Sequence, residues 1–236
     1  MTDQPPEPSE LDYSPIPPGE VADRAALARV GAAVRARLAG DPAVYKVPVD
    51  AAEIYAAGDF LTPAECDRFI AMIDASATPS RVLDHGYKGV FRTSYSAEVS
   101  RDDPFVKMIE RRLDDLLGFE NSWGEVIQGQ RYTAGQEFKA HNDWFHTGAP
   151  YWPGEAARGG QRSWTAMIYL NDVEAGGITD FLRLGVTIPP QRGALLAWNN
   201  ARTDGVVNDQ TLHAARPVEQ GTKYVITKWY RTRPWG

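Results

Sequence analysis

The second half of the chain consists of short apolar runs separated by turn signals, and this pattern constrains the fold more than any other feature. The turn signals are Ala134-Gly135, Asn171-Asp172, Gly176-Gly177 and Gly221. Apolar runs of strand length between such turns are typical of a β-rich barrel or sandwich. The predicted strands cover residues 125–132, 138–145, 164–170, 179–182, 194–199, 212–218 and 223–231.

Helical patterns precede this β-rich half. An apolar stripe through Leu27, Val30, Val34 and Leu38 predicts a helix over residues 23–38. The arginines between these positions are interpreted as the solvated face of that helix rather than as a nucleic-acid arm.

Two further helices carry clear end signals. Thr62 and Glu65 form a capping box with Pro63 at the first helical position, which predicts a helix start at that point. Another helix is predicted over residues 104–117, with Gly118 as its stop. Supporting helices, mostly from the N-terminal half, are therefore expected on one side of the β core, and the predicted fold class is α+β.

The chain is expected to form one folded domain. Residues 1–22 are rich in proline and poor in large apolar side chains, so this segment is expected to be extended or mobile. Residues 23–236 are expected to form a single domain, with helical support over 23–118 and a β core over 124–231. The hydrophobic share of 43% is sufficient for a sizeable core.

Composition argues against several classes of protein. The net charge of -6 disfavours binding to phosphate backbones, so no nucleic-acid partner is expected. Cys66 is the single cysteine, which excludes an internal disulfide, and it is interpreted as a core residue. No run reaches the ~18 apolar residues of a membrane span, and the first residues lack the features of a secretory signal. The sequence therefore predicts a cytoplasmic protein without a membrane partner, as a monomer or homodimer.

A candidate metal site involves two of the four histidines. His141 and Asp143 are two residues apart, so on a strand both side chains would project from the same face. A third ligand must come from a distant segment, and His213 lies in a later predicted strand. Two histidines and one carboxylate are the ligand set of non-haem Fe(II) oxygenases.

Lys223 provides a second indication. On the last predicted strand it shares one face with Val225, Thr227 and Trp229. A lysine on the inward face of an apolar barrel is costly unless an anion meets it. A dicarboxylate co-substrate would supply that anion, whereas an exposed Lys223 would leave Trp229 exposed as well.

With these residues in place, the sequence resembles the 2-oxoglutarate- and Fe(II)-dependent dioxygenases, in particular the prolyl 4-hydroxylase-like branch. The resemblance extends over roughly residues 60–231 and is densest after Gln128. Several motifs in the correct order make it specific. These motifs are Tyr132 to Gly135 leading to His141-Asn142-Asp143, Tyr169-Leu170-Asn171-Asp172, Gly176-Gly177, Gly193 to Asn199, His213 to Val218, Gly221-Thr222-Lys223 and Lys228-Trp229.

The resemblance implies a fold and roles for individual residues. It implies a double-stranded β-helix, or jelly-roll, core in which His141, Asp143 and His213 hold Fe(2+). Lys223 would bind the far carboxylate of 2-oxoglutarate, helped by the hydroxyls of Tyr132 and Thr179, and Trp229 would line the same pocket. Arg92 and Arg162 match positions near the substrate groove and are candidates for substrate binding. Ascorbate is a further candidate cofactor.

The sequence also departs from the prolyl hydroxylase pattern. Asn142 stands where the family usually has an aromatic residue, and Arg216 stands where it usually has a small or apolar one. Residues 145–152 are unusually aromatic. These departures leave peptidyl-proline, a free amino acid and a small metabolite all open as substrates. His146 is at an odd offset from Asp143, so it is predicted to line a loop or pocket and not to bind the metal.

The predicted activity is hydroxylation of a peptide or small-molecule substrate with release of succinate and CO2. One alternative is a zinc-type metallohydrolase with the same ligands. It leaves Lys223 and Tyr132 without a role and provides no evident general base. The other alternative is a catalytically idle β-barrel used for binding, which does not account for an intact ligand triad beside an anion-binding lysine.

Overall fold

The computed structural model describes residues 23–80 and 92–236. The predicted proline-rich segment over 1–22 and His85 lie outside the described residues. The helices are α1 (Arg24–Ala39), α2 (Pro63–Ser76), α3 (Pro104–Leu117) and α4 (Trp152–Ala157). The strands are β1 (Tyr45–Lys46), β2 (Ile54–Ala57), β3 (Thr78–Pro79), β4 (Tyr95–Glu98), β5 (Gln128–Thr133), β6 (Phe138–His141), β7 (Arg162–Tyr169), β8 (Ala175–Gly176), β9 (Thr179–Phe181), β10 (Val186–Ile188), β11 (Leu195–Asn199), β12 (His213–Ala215), β13 (Val218–Gln220) and β14 (Thr222–Arg231).

The predicted helix ends are confirmed. Glu65 N donates to Thr62 Oγ1 at 3.3 Å, and Thr62 N donates to Glu65 Oε2 at 2.8 Å, so the capping box at the start of α2 is complete. Gly118 follows α3 with φ of 79°, the left-handed conformation that glycine adopts without a steric penalty. These local signals are sufficient to fix where both helices begin or end.

The described strands form mostly antiparallel sheets, and the largest has eight strands in the order β1-β2-β11-β7-β14-β5-β4-β3. The predicted mixture of helices and a β-rich core is confirmed. A second sheet has four strands in the order β10-β9-β12-β6. Within the described ranges, 23–80 and 92–236, no helix is both long enough and apolar enough to cross a membrane.

Helices α1, α2 and α3 pack on one face of the eight-stranded sheet. Their apolar side chains share a buried cluster with alternate residues of the central strands, including Ile168 of β7, Ala197 of β11 and Ile226 of β14. The helix and sheet approach closely at Gly129 of β5, where a Cβ atom would lie 2.4 Å from the Ile73 side chain of α2. The prediction of supporting helices on one sheet agrees with this arrangement.

The opposite face of the eight-stranded sheet turns toward the smaller sheet. Met167, Tyr169, Trp198 and Val225 from the large sheet share a second buried cluster with Phe181 of β9. This cluster fills the space between the two sheets, and the candidate site lies beside it.

Two predicted strands end earlier in the structure than expected. The strand predicted over 138–145 ends at His141, because the following residues leave the ladder to contact β7. The strand predicted over 212–218 divides into β12 and β13 at Pro217, which has no N–H to donate to a sheet. Strand β13 then pairs with β8 instead of continuing the four-stranded sheet.

Candidate active site

A pocket opens between the two sheets and is lined by nearly all of the predicted site residues. Its walls come from β5, β7, β11 and β14 of the large sheet, from β6, β9 and β12 of the small sheet, and from Asp143 just beyond β6. The lining side chains are Gln130, Tyr132, Phe138, His141, Asp143, Met167, Thr179, Trp198, His213, Ala215, Lys223, Val225, Thr227 and Trp229. The structure thus brings together residues that are up to about half the chain apart.

The two histidines are neighbours across a strand pair. His141 is the last residue of β6 and lies directly opposite His213, the first residue of β12. Their ring centroids are 4.3 Å apart. Asp143 follows two residues after the end of β6, so the loop and not a continued strand directs its carboxylate toward them. Ligand atoms of all three side chains lie within 4.8 Å of one another.

Backbone carbonyls orient both imidazole rings. Nδ1 of His141 lies 2.8 Å from the carbonyl oxygen of Lys139, and Nδ1 of His213 lies 3.0 Å from that of Thr211. A neutral ring that donates through Nδ1 carries its lone pair on Nε2, which is the atom a metal binds. We assign this tautomer to both rings from these hydrogen bonds.

The charge states of His141 and Asp143 suit a divalent cation. Burial, followed by the proximity of His213, lowers the pKa of His141 to about 3, so this ring is neutral at pH 7. Burial alone would raise the pKa of Asp143. Nearby His213, His141 and Arg162 and the Thr165 hydrogen bond outweigh it and hold that pKa below its ordinary value. A neutral imidazole beside an ionised carboxylate is the form that ligates a metal.

Lys223 is buried deep in the same pocket, with 1% of its surface exposed. Its Nζ lies 5.6 Å from the ring centroid of Tyr132 and 5.5 Å from that of Tyr169. Among the described residues no carboxylate oxygen lies within 4.0 Å of this Nζ, and burial lowers the pKa of Lys223 to about 7. The sequence-based prediction of an inward-facing lysine on the last strand agrees with this placement.

Tyr169 is a site residue that sequence reasoning missed. Its hydroxyl donates to Thr179 Oγ1 at 2.7 Å, which fixes both hydroxyls beside Lys223. The predicted co-ligand Tyr132 instead donates to Gln130 Oε1 at 2.8 Å. Tyr169 begins the Tyr169-Leu170-Asn171-Asp172 motif, and its even spacing from Met167 on β7 is the signal that places it on the pocket face.

Trp198 was also not assigned a role. It is 1% exposed, and its ring meets that of His213 edge-on at a centroid distance of 4.9 Å and an angle of 68°. It makes a similar edge contact with Phe181 at 5.5 Å. Trp198 therefore forms the wall of the pocket behind His213.

The two candidate substrate arginines contact different aromatic side chains of the pocket. Arg162 pairs with both carboxylate oxygens of Glu125, at 2.7 and 2.8 Å, and its guanidinium carbon lies 4.1 Å from the ring centroid of Trp229. Arg92 donates to Ser94 Oγ at 2.8 Å and lies 4.6 Å from the ring centroid of Phe138. Arg162 therefore supports the ring of Trp229 and Arg92 packs on the ring of Phe138, and both rings line the pocket.

His146 is placed apart from the other two histidines. Its side chain is exposed, and its ring lies 4.9 Å from that of Trp144. It is not part of the cluster formed by His141, Asp143 and His213. This position agrees with its predicted assignment to a loop.

Comparisons with known proteins agree with this geometry. Residues 127–231 match the family model described as the 2OG-Fe(II) oxygenase superfamily. Prolyl 4-hydroxylase 2 of Arabidopsis thaliana is 31% identical over 196 residues, which are 72% of this chain and 64% of that relative. Prolyl 4-hydroxylase subunit alpha-1 of Rattus norvegicus is 35% identical over 144 residues, 61% of this chain and 27% of that relative.

A solved structure gives the same result. The viral collagen prolyl hydroxylase of Paramecium Bursaria Chlorella virus-1, in its 2-oxoglutarate complex, aligns with a TM-score of 0.59 and 26% identity. The alignment covers 75% of this chain and 95% of that chain. The chain spans less than two thirds of the length of the two curated relatives named above.

Residues 127–231 are a 2OG-Fe(II) oxygenase region. This region is prolyl 4-hydroxylase-like, as its ordered motifs predicted.

The residues present fit the iron and 2-oxoglutarate that this superfamily implies. The two imidazoles are oriented through Nδ1, and Asp143 Oδ1 lies 3.8 Å from His141 Nε2, so three suitable donors converge. Lys223 supplies a buried amine without a carboxylate partner among the described residues, and the carboxylate of an anionic co-substrate would favour its ammonium form.

Proposed function

We propose that this protein is an Fe(II)- and 2-oxoglutarate-dependent dioxygenase that hydroxylates its substrate with release of succinate and CO2. The observation that carries the proposal is the combination, in one pocket, of a two-histidine, one-carboxylate cluster with a buried Lys223 that has no carboxylate partner among the described residues. The metal cluster alone suits several metalloenzymes. The lysine is what favours a co-substrate with a second carboxylate.

Each residue then has a definite task. His141, Asp143 and His213 would hold Fe(2+), and Lys223 would bind the far carboxylate of 2-oxoglutarate beside the paired hydroxyls of Tyr169 and Thr179. When bound, iron and 2-oxoglutarate supply the oxidative decarboxylation and the oxidant for C–H hydroxylation.

The walls of the pocket would hold the reactants and exclude water. Tyr132, Trp198 and Trp229 form much of this wall, and Trp229 is held by the guanidinium of Arg162. A dry pocket strengthens the attraction between Lys223 and a carboxylate, because fewer water dipoles screen it.

For the substrate, we propose a prolyl side chain in a peptide. Relatives named as prolyl 4-hydroxylases support this choice, and one structural neighbour is named as a collagen prolyl hydroxylase. Arg92 is half-buried, packs on the pocket residue Phe138 and pairs with no carboxylate among the described residues, so we assign peptide contact to it rather than to Arg162. Arg162 is already bound to Glu125, so we assign it to support of the pocket wall.

The jelly-roll description of the two-sheet core is proposed on the strength of the same relatives. Organisation of residues 23–236 as one domain, a cytoplasmic location, the absence of nucleic-acid partners and a monomeric or homodimeric state stay predictions from the sequence. Ascorbate as an additional cofactor stays a prediction as well.

Anaerobic titration tests the proposal directly. Addition of Fe(II) and 2-oxoglutarate to the metal-free protein should produce a weak visible charge-transfer band, which the Asp143→Ala variant should lack. A zinc hydrolase or an idle binding barrel would show no such band. With oxygen admitted, a succinate-release screen over prolyl peptides, free amino acids and small metabolites identifies the substrate. Release stimulated by small molecules but not by prolyl peptides would overturn the peptide assignment alone.

A further inference from the structure

Two fully buried polar side chains form a hydrogen-bonded chain that ends on Asp143. Thr165 Oγ1 lies 2.7 Å from Asp143 Oδ2, and Asn200 Nδ2 lies 3.0 Å from Thr165 Oγ1. Thr165 and Asn200 are each 0% exposed. Because no solvent reaches these side chains, the two hydrogen bonds satisfy the polar atoms that form them.

The direction of donation along this chain follows from its chemistry. The Asn200 amide nitrogen can only donate, so Thr165 Oγ1 accepts from it and gives its single proton to Asp143. With the Asn200 amide turned over, its oxygen and Asp143 Oδ2 would both be acceptors for the single hydroxyl proton of Thr165. An ionised carboxylate as the final acceptor strengthens the bond from Thr165.

Both supporting residues are held by the backbone. Thr165 is in β7, between Trp198 of β11 and Trp229 of β14 in the sheet register. Asn200 N donates to the carbonyl of Ser163 at 2.8 Å, and its own carbonyl accepts from Asn208 N at 2.9 Å. Asp143 itself lies in a loop beyond β6, so it depends on such rigid neighbours for its orientation.

We propose that Thr165 and Asn200 are positioning residues that make Asp143 a ligand through one oxygen. Thr165 engages Oδ2, which leaves Oδ1, at 3.8 Å from Nε2 of His141, as the oxygen that would bind the metal. Asn200 acts through Thr165 by fixing the hydroxyl proton on Asp143. This inference rests on the proposed metal site. Loss of a group that orients a metal ligand typically lowers metal affinity by about 10- to 100-fold.

The test is titration of the metal-free full chain with Mn(II), which binds in place of iron without turnover. Thr165→Val keeps the shape of the side chain and removes the hydroxyl, so we expect Mn(II) affinity to fall by about 10- to 100-fold. Thr165→Ser keeps the hydroxyl and should bind nearly as tightly as the unmodified chain. Thr165→Ala removes the same hydroxyl without adding a methyl group, and it serves if the valine variant fails to fold.

A double variant separates positioning from general destabilisation. Because Asn200 acts through Thr165, Asn200→Leu should weaken Mn(II) binding in the native background but add no loss to Thr165→Val. Additive losses would overturn the relay, and unchanged affinity in folded Thr165→Val and Thr165→Ala would overturn the role of Thr165. If the unmodified chain itself fails to bind Mn(II), the metal site of the proposed function is overturned as well.

Discussion

Lys223 and Lys228 are five residues apart on β14 and project from opposite faces of the large sheet. Lys228 Nζ lies 3.1 Å from Glu110 Oε1 and 3.2 Å from Asp114 Oδ1 on the helical side. Lys223 faces the pocket, where the described residues place no carboxylate within 4.0 Å. One strand thus carries a buried lysine with its counter-ions in place and another that has no carboxylate counter-ion within the described ranges.

Removal of the Lys223 amine is expected to abolish tight binding of 2-oxoglutarate. Loss of one member of a buried charge pair costs about 3–5 kcal/mol, which is roughly two to four orders of magnitude in affinity. Isothermal titration of Lys223→Ala with 2-oxoglutarate, with Mn(II) in place of iron, measures this loss. Mn(II) affinity should change little, and Lys223→Arg should recover part of the 2-oxoglutarate affinity. Unchanged 2-oxoglutarate affinity in Lys223→Ala would place the anion site elsewhere.

The two lysines should differ in their effect on stability. Lys228→Met leaves Glu110 and Asp114 buried without the ammonium between them, so the free energy of unfolding should fall by about 3–5 kcal/mol. Lys223→Met removes a buried amine that has no carboxylate partner among the described residues, so stability should be retained or increased. Urea unfolding of both variants without metal or 2-oxoglutarate provides the comparison. Equal destabilisation by the two substitutions would contradict the expected difference between Lys228 and Lys223.

The affinity for 2-oxoglutarate should depend on pH through Lys223. Its pKa of about 7 in the free pocket means that the amine is partly neutral at physiological pH, whereas a bound carboxylate favours the ammonium. Binding below pH 7 therefore takes up little or no proton. Above pH 7 binding takes up one proton, and affinity should fall by about tenfold per pH unit.

Calorimetric titration with 2-oxoglutarate, with Mn(II) in place of iron and in buffers of different ionisation enthalpy, would detect the proton taken up on binding between about pH 6.5 and pH 9. Lys223→Arg is the matched control, because its guanidinium stays charged over this range and should remove the pH dependence. Affinity that stays constant over the range in the unmodified chain would refute the assignment.

Metal binding should distinguish His213 from His146. His213 faces His141 across the strand pair and is a predicted metal ligand. His213→Ala should therefore weaken Mn(II) binding by more than roughly 100-fold, which is the largest loss typical of residues that only orient a ligand. His146 is exposed and outside the cluster, so His146→Ala should leave Mn(II) affinity unchanged. The reverse pattern of losses would identify His146 as the third ligand.

Local patterns in the sequence were sufficient for much of the fold. The capping box of Thr62 and Glu65 set the start of α2, and Gly118 set the end of α3. Strand alternation placed Lys223 on the face opposite Lys228. These features depend on backbone geometry and on residues close together in the chain, so periodicity and end signals reveal them.

The sequence by itself identified the residues that could form the site, namely His141, Asp143, His213 and Lys223. Only the tertiary structure decided that Asp143 leaves its strand, that Tyr169 pairs with Thr179, and which residues support Asp143 from behind. Those contacts join segments far apart in the chain. They depend on the register between strands and on how the two sheets pack, because a side chain's partners across a sheet are fixed by neighbouring strands and not by its own sequence.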